Sequence, residues 1–135
     1  MSNIAPDTWD DLYQQAIKAM ENSYTPYSNY KVGAALLTRS GKVYLGCNIE
    51  NASYTPSICG ERTAIFKAVS EGERDFVAIA VATANAGAPC GVCRQVMREF
   101  APNLTVIIGN TEGQYNVLTL PDLLPHSFGP ENLPR

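Results

Sequence analysis

The chain has 135 residues, of which 45% are hydrophobic and 17% charged, and its formal net charge is −3 at pH 7. These proportions describe one globular domain spanning 1–135, exclude a disordered chain, and leave no apolar run long enough to cross a bilayer. Lys and Arg are scattered, with Arg94 and Arg98 as their densest cluster, so the basic stripe that a nucleic-acid strand requires is missing and a small substrate is expected instead.

Met1 to Asp11 is polar and acidic and lacks the apolar segment of a signal peptide, which points to the cytoplasm. In that compartment the four cysteines are expected to serve as ligands and not as disulfides. A first helix is predicted from about Asp7 to Asn22. Trp9, Leu12, Tyr13, Ala16, Ile17 and Met20 fall on one face, and Asp7 is the expected N-cap. Ser23 to Asn29 reads as a loop. A hairpin follows, with strands at Tyr30–Thr38 and Lys42–Cys47 around a Ser40-Gly41 turn. Asn48 to Ala52 leaves the sheet, and Tyr54 to Ile58 is a loop. A helix is predicted from Cys59 to Glu71, with Glu61 on the same side as Ala64 and Ile65, and Gly72 ends it. Phe76–Ala82 is a continuous apolar run, as expected of a strand covered on both faces. Then come a helix at Cys90–Phe100, a strand at Leu104–Ile108, a turn at Asn110–Gly113 and a strand at Gln114–Leu118. A short helix starts at Thr119 or Pro121 and ends at Leu124, and an irregular tail runs from Pro125 to Arg135. This order predicts a mixed sheet sandwiched between helices.

Two stretches carry the chemistry: Cys59-Gly60-Glu61-Arg62 and Pro89-Cys90-Gly91-Val92-Cys93. Residues three apart on a first helical turn project to one side, so Cys90 and Cys93 can grip one ion together, and Cys59 heads the other helix. Helix starts stabilise thiolates, and thiolates are soft ligands that suit zinc. Three sulfurs are one short of a closed structural zinc site, which leaves a corner for water. Glu61 is the group placed to move that water's protons. Three thiolates also exceed the ion's charge by one, and Arg62 is expected to hydrogen-bond the sulfurs and draw off the excess. Arg94 is a second candidate, equally compatible with a surface ion pair. Cys47 has no matching spacing and reads as a small buried hydrophobe. Taken alone, Asn48 and Glu50 read as turn residues at a strand end. His126, the single histidine, lies in a Pro-rich turn away from both cysteine motifs and suits a turn or a subunit contact.

A ligand-x-Glu element followed by Pro-Cys-x-x-Cys is the pattern of zinc deaminases. From about Tyr27 to Leu133 the chain resembles the small homotetrameric cytidine deaminases. The resemblance rests on Pro26-Tyr27-Ser28, Val32-Gly33-Ala34-Ala35-Leu36, Gly46-Cys47-Asn48-Ile49-Glu50-Asn51-Ala52, Cys59-Gly60-Glu61-Arg62-Thr63-Ala64, Pro89-Cys90-Gly91-Val92-Cys93-Arg94-Gln95 and Leu123-Leu124-Pro125-His126-Ser127-Phe128. It implies an α/β/α sandwich with a five-stranded mixed sheet. It implies one zinc ion per subunit on Cys59, Cys90 and Cys93, and hydrolytic deamination of cytidine and 2′-deoxycytidine in pyrimidine salvage, with Glu61 as proton shuttle. It also implies that Asn48 and Glu50 bind the ribose hydroxyls, that Tyr30 packs on the pyrimidine and Gly60 offers its backbone to it, and that Gln95 supports the metal shell. Tyr54 and Phe128 are implied to reach neighbouring subunits' sites. The chain departs from the family at Tyr30, where Phe is usual, so a hydroxyl must find a partner, and at Gly60, where Ala is usual. A related deaminase of a cytosine-bearing antibiotic such as blasticidin S is the alternative, against which Asn48 and Glu50 favour a plain ribose. A zinc-stabilised binding module would not need Glu61.

Overall fold

The computed structural model describes residues 6–134; the polar start read at Met1 to Asp11 lies partly outside them. In chain order it contains α1 (Pro6–Ala19), a 3-10 turn (Met20–Asn22), β1 (Gly33–Thr38), β2 (Val43–Cys47), α2 (Gly60–Ser70) and β3 (Phe76–Ala82). There follow α3 (Gly91–Phe100), β4 (Thr105–Gly109), β5 (Tyr115–Thr119), α4 (Leu120–Leu123) and a second 3-10 turn (Pro130–Asn132). α1 begins at Pro6, a residue suited to a first helical position. Asp7 is therefore inside the first turn and is not the cap. Thr119 both ends β5 and caps α4 through Asp122, so the helix starts between the two positions expected.

The sheet has five strands in the order β2-β1-β3-β4-β5. Only β3 and β4 run parallel; the other neighbours are antiparallel. Side chains alternate between faces with a period of two, and the sequence uses the two faces differently. Ala35, Ala78, Ala80, Ala82 and Ile107 lie under Leu12, Tyr13 and Ala16 of α1. Ala34, Leu36, Ile79, Val81, Val106 and Ile108 face Ala64, Ile65 and Ala68 of α2 and Cys93 and Met97 of α3. Helices thus cover both faces, giving the expected α/β/α sandwich. Alanines dominate the sheet face under α1, and branched residues dominate the face under α2 and α3.

Strand register positions the site. Gly33, the first residue of β1, pairs with Cys47, the last of β2, and with Ala82, the last of β3. Three segments therefore emerge side by side at one end of the sheet: Tyr30–Val32, the chain from Asn48, and the loop from Thr83. β1 is three residues shorter than the Tyr30–Thr38 expected, because the Asn48 side chain takes the groups that a ladder would use. Its Oδ1 accepts the Val32 N–H at 2.9 Å, and its Nδ2 donates to the Tyr30 carbonyl at 2.7 Å.

Candidate metal centre and active site

Cys59 is the residue before α2 and Cys90 the residue before α3, both with extended backbone, and Cys93 lies one turn into α3. Both helix starts aim at the end of the sheet just described. They bring the Cys59 and Cys90 sulfurs to 3.7 Å, and all three sulfurs lie within 4.8 Å of one another. Tetrahedral zinc with bonds of 2.3 Å requires sulfurs about 3.8 Å apart, so this trio fits the ion. Cys93 is buried, Cys59 half-buried and Cys90 exposed, which leaves the cluster open on the cavity side. Cys47 is half-buried and lies outside the trio.

Arg62, on the first turn of α2, donates from Nη2 to the Cys59 sulfur at 3.4 Å. Hydrogen bonds from Cys93 and Arg62 hold the Cys59 thiol well below the ordinary range, against the effect of burial. The same pairing with Cys59, together with burial, pushes the Cys93 thiol up. The guanidinium's own pKa is raised by the sulfurs it serves. Arg94 does different work: its Nε donates to the Pro89 carbonyl at 2.7 Å and its Nη1 to the Leu123 carbonyl at 2.7 Å. It ties the segment before Cys90 to α4 without touching a thiol.

Glu61 is 3% exposed, and its Oε1 is buried with no hydrogen-bond partner. An unpartnered buried carboxylate is costly unless it serves a ligand or holds a proton. Burial pushes its pKa up to about 7; the Cys59 charge adds to this, while its own backbone N–H and Arg62 pull the other way. A carboxyl poised near neutrality both takes and gives protons readily.

A cavity of about 360 Å³ opens beside this carboxyl, within the range of small-molecule sites. Tyr30, Asn48, Glu50, Cys59, Glu61, Arg62 and Cys90 all line it. Glu50 accepts the Tyr27 and Ser28 N–H groups on Oε1, at 3.0 and 3.2 Å, and the Ser28 hydroxyl on Oε2. The Ser28 hydroxyl is the main cause of its lowered pKa. A carboxylate has about four acceptor sites and an amide nitrogen two donors, so Glu50 and Asn48 each keep one group free for a ligand.

Gly60, a departure from the usual Ala, has a local cause. A Cβ there would lie 2.9 Å from the Val32 carbonyl oxygen and 3.3 Å from the Cys47 Cα, so α2 approaches the β1 and β2 ends more closely than Ala permits. Three expected site residues do not line the cavity within this chain. Gln95 is exposed and donates to the Phe128 carbonyl at 2.9 Å instead of supporting the sulfurs. It follows Cys93 by two residues, which turns it to another side of α3. Tyr54 and Phe128 stand on the surface, 73% and 55% exposed. His126 adopts a left-handed backbone (φ 53°) in the turn after α4. Ser28 was present in the Pro26-Tyr27-Ser28 motif, but its role in holding Glu50 had no signal in the sequence.

A family model described as the cytidine and deoxycytidylate deaminase zinc-binding region matches residues 7–109. The chain belongs to this family. It is 52% identical to a cytidine deaminase of Halalkalibacterium halodurans over 90% of this chain and 95% of that one. It is 46% identical to a cytidine deaminase of Sporosarcina psychrophila over 92% and 93% of the two chains. Among solved structures, a cytidine deaminase from Burkholderia pseudomallei superposes with a TM-score of 0.85 at 48% identity, covering 93% of this chain and all (100%) of that chain. One from Mycobacterium tuberculosis superposes with a TM-score of 0.78 at 35% identity, covering 90% and 97%. The matched region contains all three sulfurs and Glu61.

Proposed function

We propose that the protein is a zinc-dependent cytidine deaminase that converts cytidine and 2′-deoxycytidine to the uridine nucleosides and ammonia. The observation that carries this reading is the buried, partnerless Glu61 carboxyl beside three converging sulfurs at the wall of a nucleoside-sized cavity. Cys59, Cys90 and Cys93 would hold the zinc ion, which would supply an activated water near neutral pH. Arg62 offsets the excess negative charge of the sulfurs. Glu61 takes a proton from the attacking water and delivers it to the ring nitrogen next to C4, making that carbon electrophilic. It then protonates the departing amine, so that one water is consumed and one ammonia released. The free donor of Asn48 and the free acceptor of Glu50 take the ribose hydroxyls, and Tyr30 packs on the pyrimidine.

Tyr54 and Phe128 stand exposed on the surface, Tyr54 beside a hollow that Glu50 also lines. Together with exposed Phe66, Val92 and Leu133, they support a homotetramer in which these aromatics complete neighbouring sites. The described helices pack on one sheet, in keeping with a single domain. The described cysteines are unpaired, which suits the reducing cytoplasm and a salvage role there, and no described helix is long and apolar enough to cross a membrane. The test is the loss of cytidine absorbance in the ultraviolet on adding the purified zinc-loaded protein, with sedimentation to give the subunit number. Absence of turnover at micromolar enzyme would refute the activity, and a monomer that is fully active would refute the shared site.

A further inference from the structure

Tyr30 lies outside the sheet and is 38% exposed, so packing alone does not fix its ring. Its hydroxyl donates to Asn85 Oδ1 at 2.7 Å. Asn85 belongs to the short loop between β3 and Cys90, and that loop is closed on itself: the Gly87 N–H donates to Thr83 Oγ1 at 2.8 Å, and Ala86 takes a left-handed backbone (φ 61°). Gly87 makes room for the phenol, since a Cβ there would lie 2.5 Å from the Tyr30 oxygen. Tyr30, Thr83, Gly87 and Ala88 line the cavity together with Glu61.

We infer that Asn85 and Gly87 are positioning residues that latch the Tyr30 ring as a preformed wall of the nucleoside cavity. This rests on the deaminase reading of that cavity. The hydroxyl, absent from an ordinary phenylalanine wall, is spent on the loop and not on the substrate, so the cavity meets its ligand with the ring. A latched ring has already lost the rotamer freedom that a loose aromatic gives up on binding. Unlatching it weakens substrate and transition state equally, which raises KM and spares kcat.

The test uses the zinc-loaded protein with cytidine as substrate and, separately, calorimetric titration with uridine. Tyr30→Phe and Asn85→Ala should each raise KM by roughly two- to tenfold, the worth of one net hydrogen bond, with kcat within about twofold of the parent. The double variant should be no worse than either single, and Asn85→Asp, which keeps the acceptor oxygen, should restore KM. Gly87→Ala should raise KM through its collision with the phenol, and adding Tyr30→Phe should return KM to the Tyr30→Phe value. Additive effects, a fall in kcat at unchanged KM, or a Gly87→Ala defect that Tyr30→Phe deepens would overturn the latch. If Gly87→Ala does not fold, the Tyr30 and Asn85 cycle decides alone. Uridine affinity should follow the same pattern. A parent that binds uridine in this pattern without deaminating cytidine refutes the reaction and keeps the latch; a parent that deaminates cytidine while the variants add independently refutes the latch and keeps the reaction.

Discussion

Arg62→Gln removes the one guanidinium among the described residues that reaches the sulfurs, and its cost follows from the geometry. At 3.4 Å and an effective dielectric near 20, the attraction between the guanidinium and a thiolate is about 5 kcal/mol, which sets a ceiling. Desolvation of the half-buried guanidinium offsets part of it, leaving the roughly 1.5–3 kcal/mol typical of a hydrogen bond to a charged group. At about 1.4 kcal/mol per decade this is a ten- to hundredfold loss, the same range expected for removing a group that supports metal ligands. Chelator competition should show zinc held ten- to hundredfold more weakly, and kcat should be reduced even at saturating zinc, because sulfurs left with their full charge weaken the metal's pull on water. Arg62→Lys, which keeps the charge but not the planar fork, should fall between the two. If Arg62→Gln matches the parent in both zinc affinity and kcat, Arg62 is not what balances the sulfur charge.

Gly46→Ala should drive α2 off the sheet, since the new Cβ would lie 2.5 Å from the Ala64 backbone nitrogen and closer still to the Gly60 carbonyl oxygen. Neither backbone atom can turn aside, so the cost should reach about 3 kcal/mol, or roughly 10 °C in melting midpoint, together with weaker zinc binding; calorimetry and zinc titration check both. Alkaline stability should turn on Tyr13, which is buried, donates to the Asn110 carbonyl at 2.6 Å and has its pKa raised to about 12 by burial. Its folded pKa lies above the unfolded value near 10, so its contribution is complete below pH 10 and is lost as pH rises through 12. Denaturant melts across that window should lose part of the dependence in Tyr13→Phe, the rest staying with Tyr115, whose hydroxyl donates to Asp10 and whose pKa is likewise raised to about 12. Arg98→Ala should free the tail, because Arg98 donates to Ser127 Oγ at 2.7 Å and pairs with both oxygens of Glu131. Limited proteolysis should then cut between Pro125 and Leu133 before any strand, and a tail no more sensitive than the parent's would deny the clamp.

The sequence made the metal centre legible because its ligands are local. Cys90 and Cys93 share a helical turn, Cys59 and Glu61 are two residues apart, and each motif starts a helix whose apolar stripe points to the core. β3 stood out because both of its faces are apolar, whereas Asn48 and Glu50 read alone as turn residues and were marked as ligand groups only by the family resemblance. The residues read least well depend on contacts between distant segments. The start of β1 was misplaced because a side chain from beyond β2 intercepts its backbone groups. The resemblance implied a metal-supporting role for Gln95, while helical geometry turns its side chain towards the tail, where it donates to the Phe128 carbonyl. Arg98 read as one of several scattered cations, yet its guanidinium is buried under Ser127 and Glu131. Nothing in Asn85 itself announces a partner 55 residues away.

The most direct test of the account pairs zinc content with cytidine turnover in the parent and in Glu61→Ala. Glu61 is buried at the cavity wall and supplies no sulfur. The substitution should therefore leave one zinc ion per chain and a folded protein, and lower kcat by about 10²- to 10⁴-fold, the worth of a positioned proton carrier. A Glu61→Ala protein that holds its zinc and still deaminates cytidine within tenfold of the parent would contradict the account.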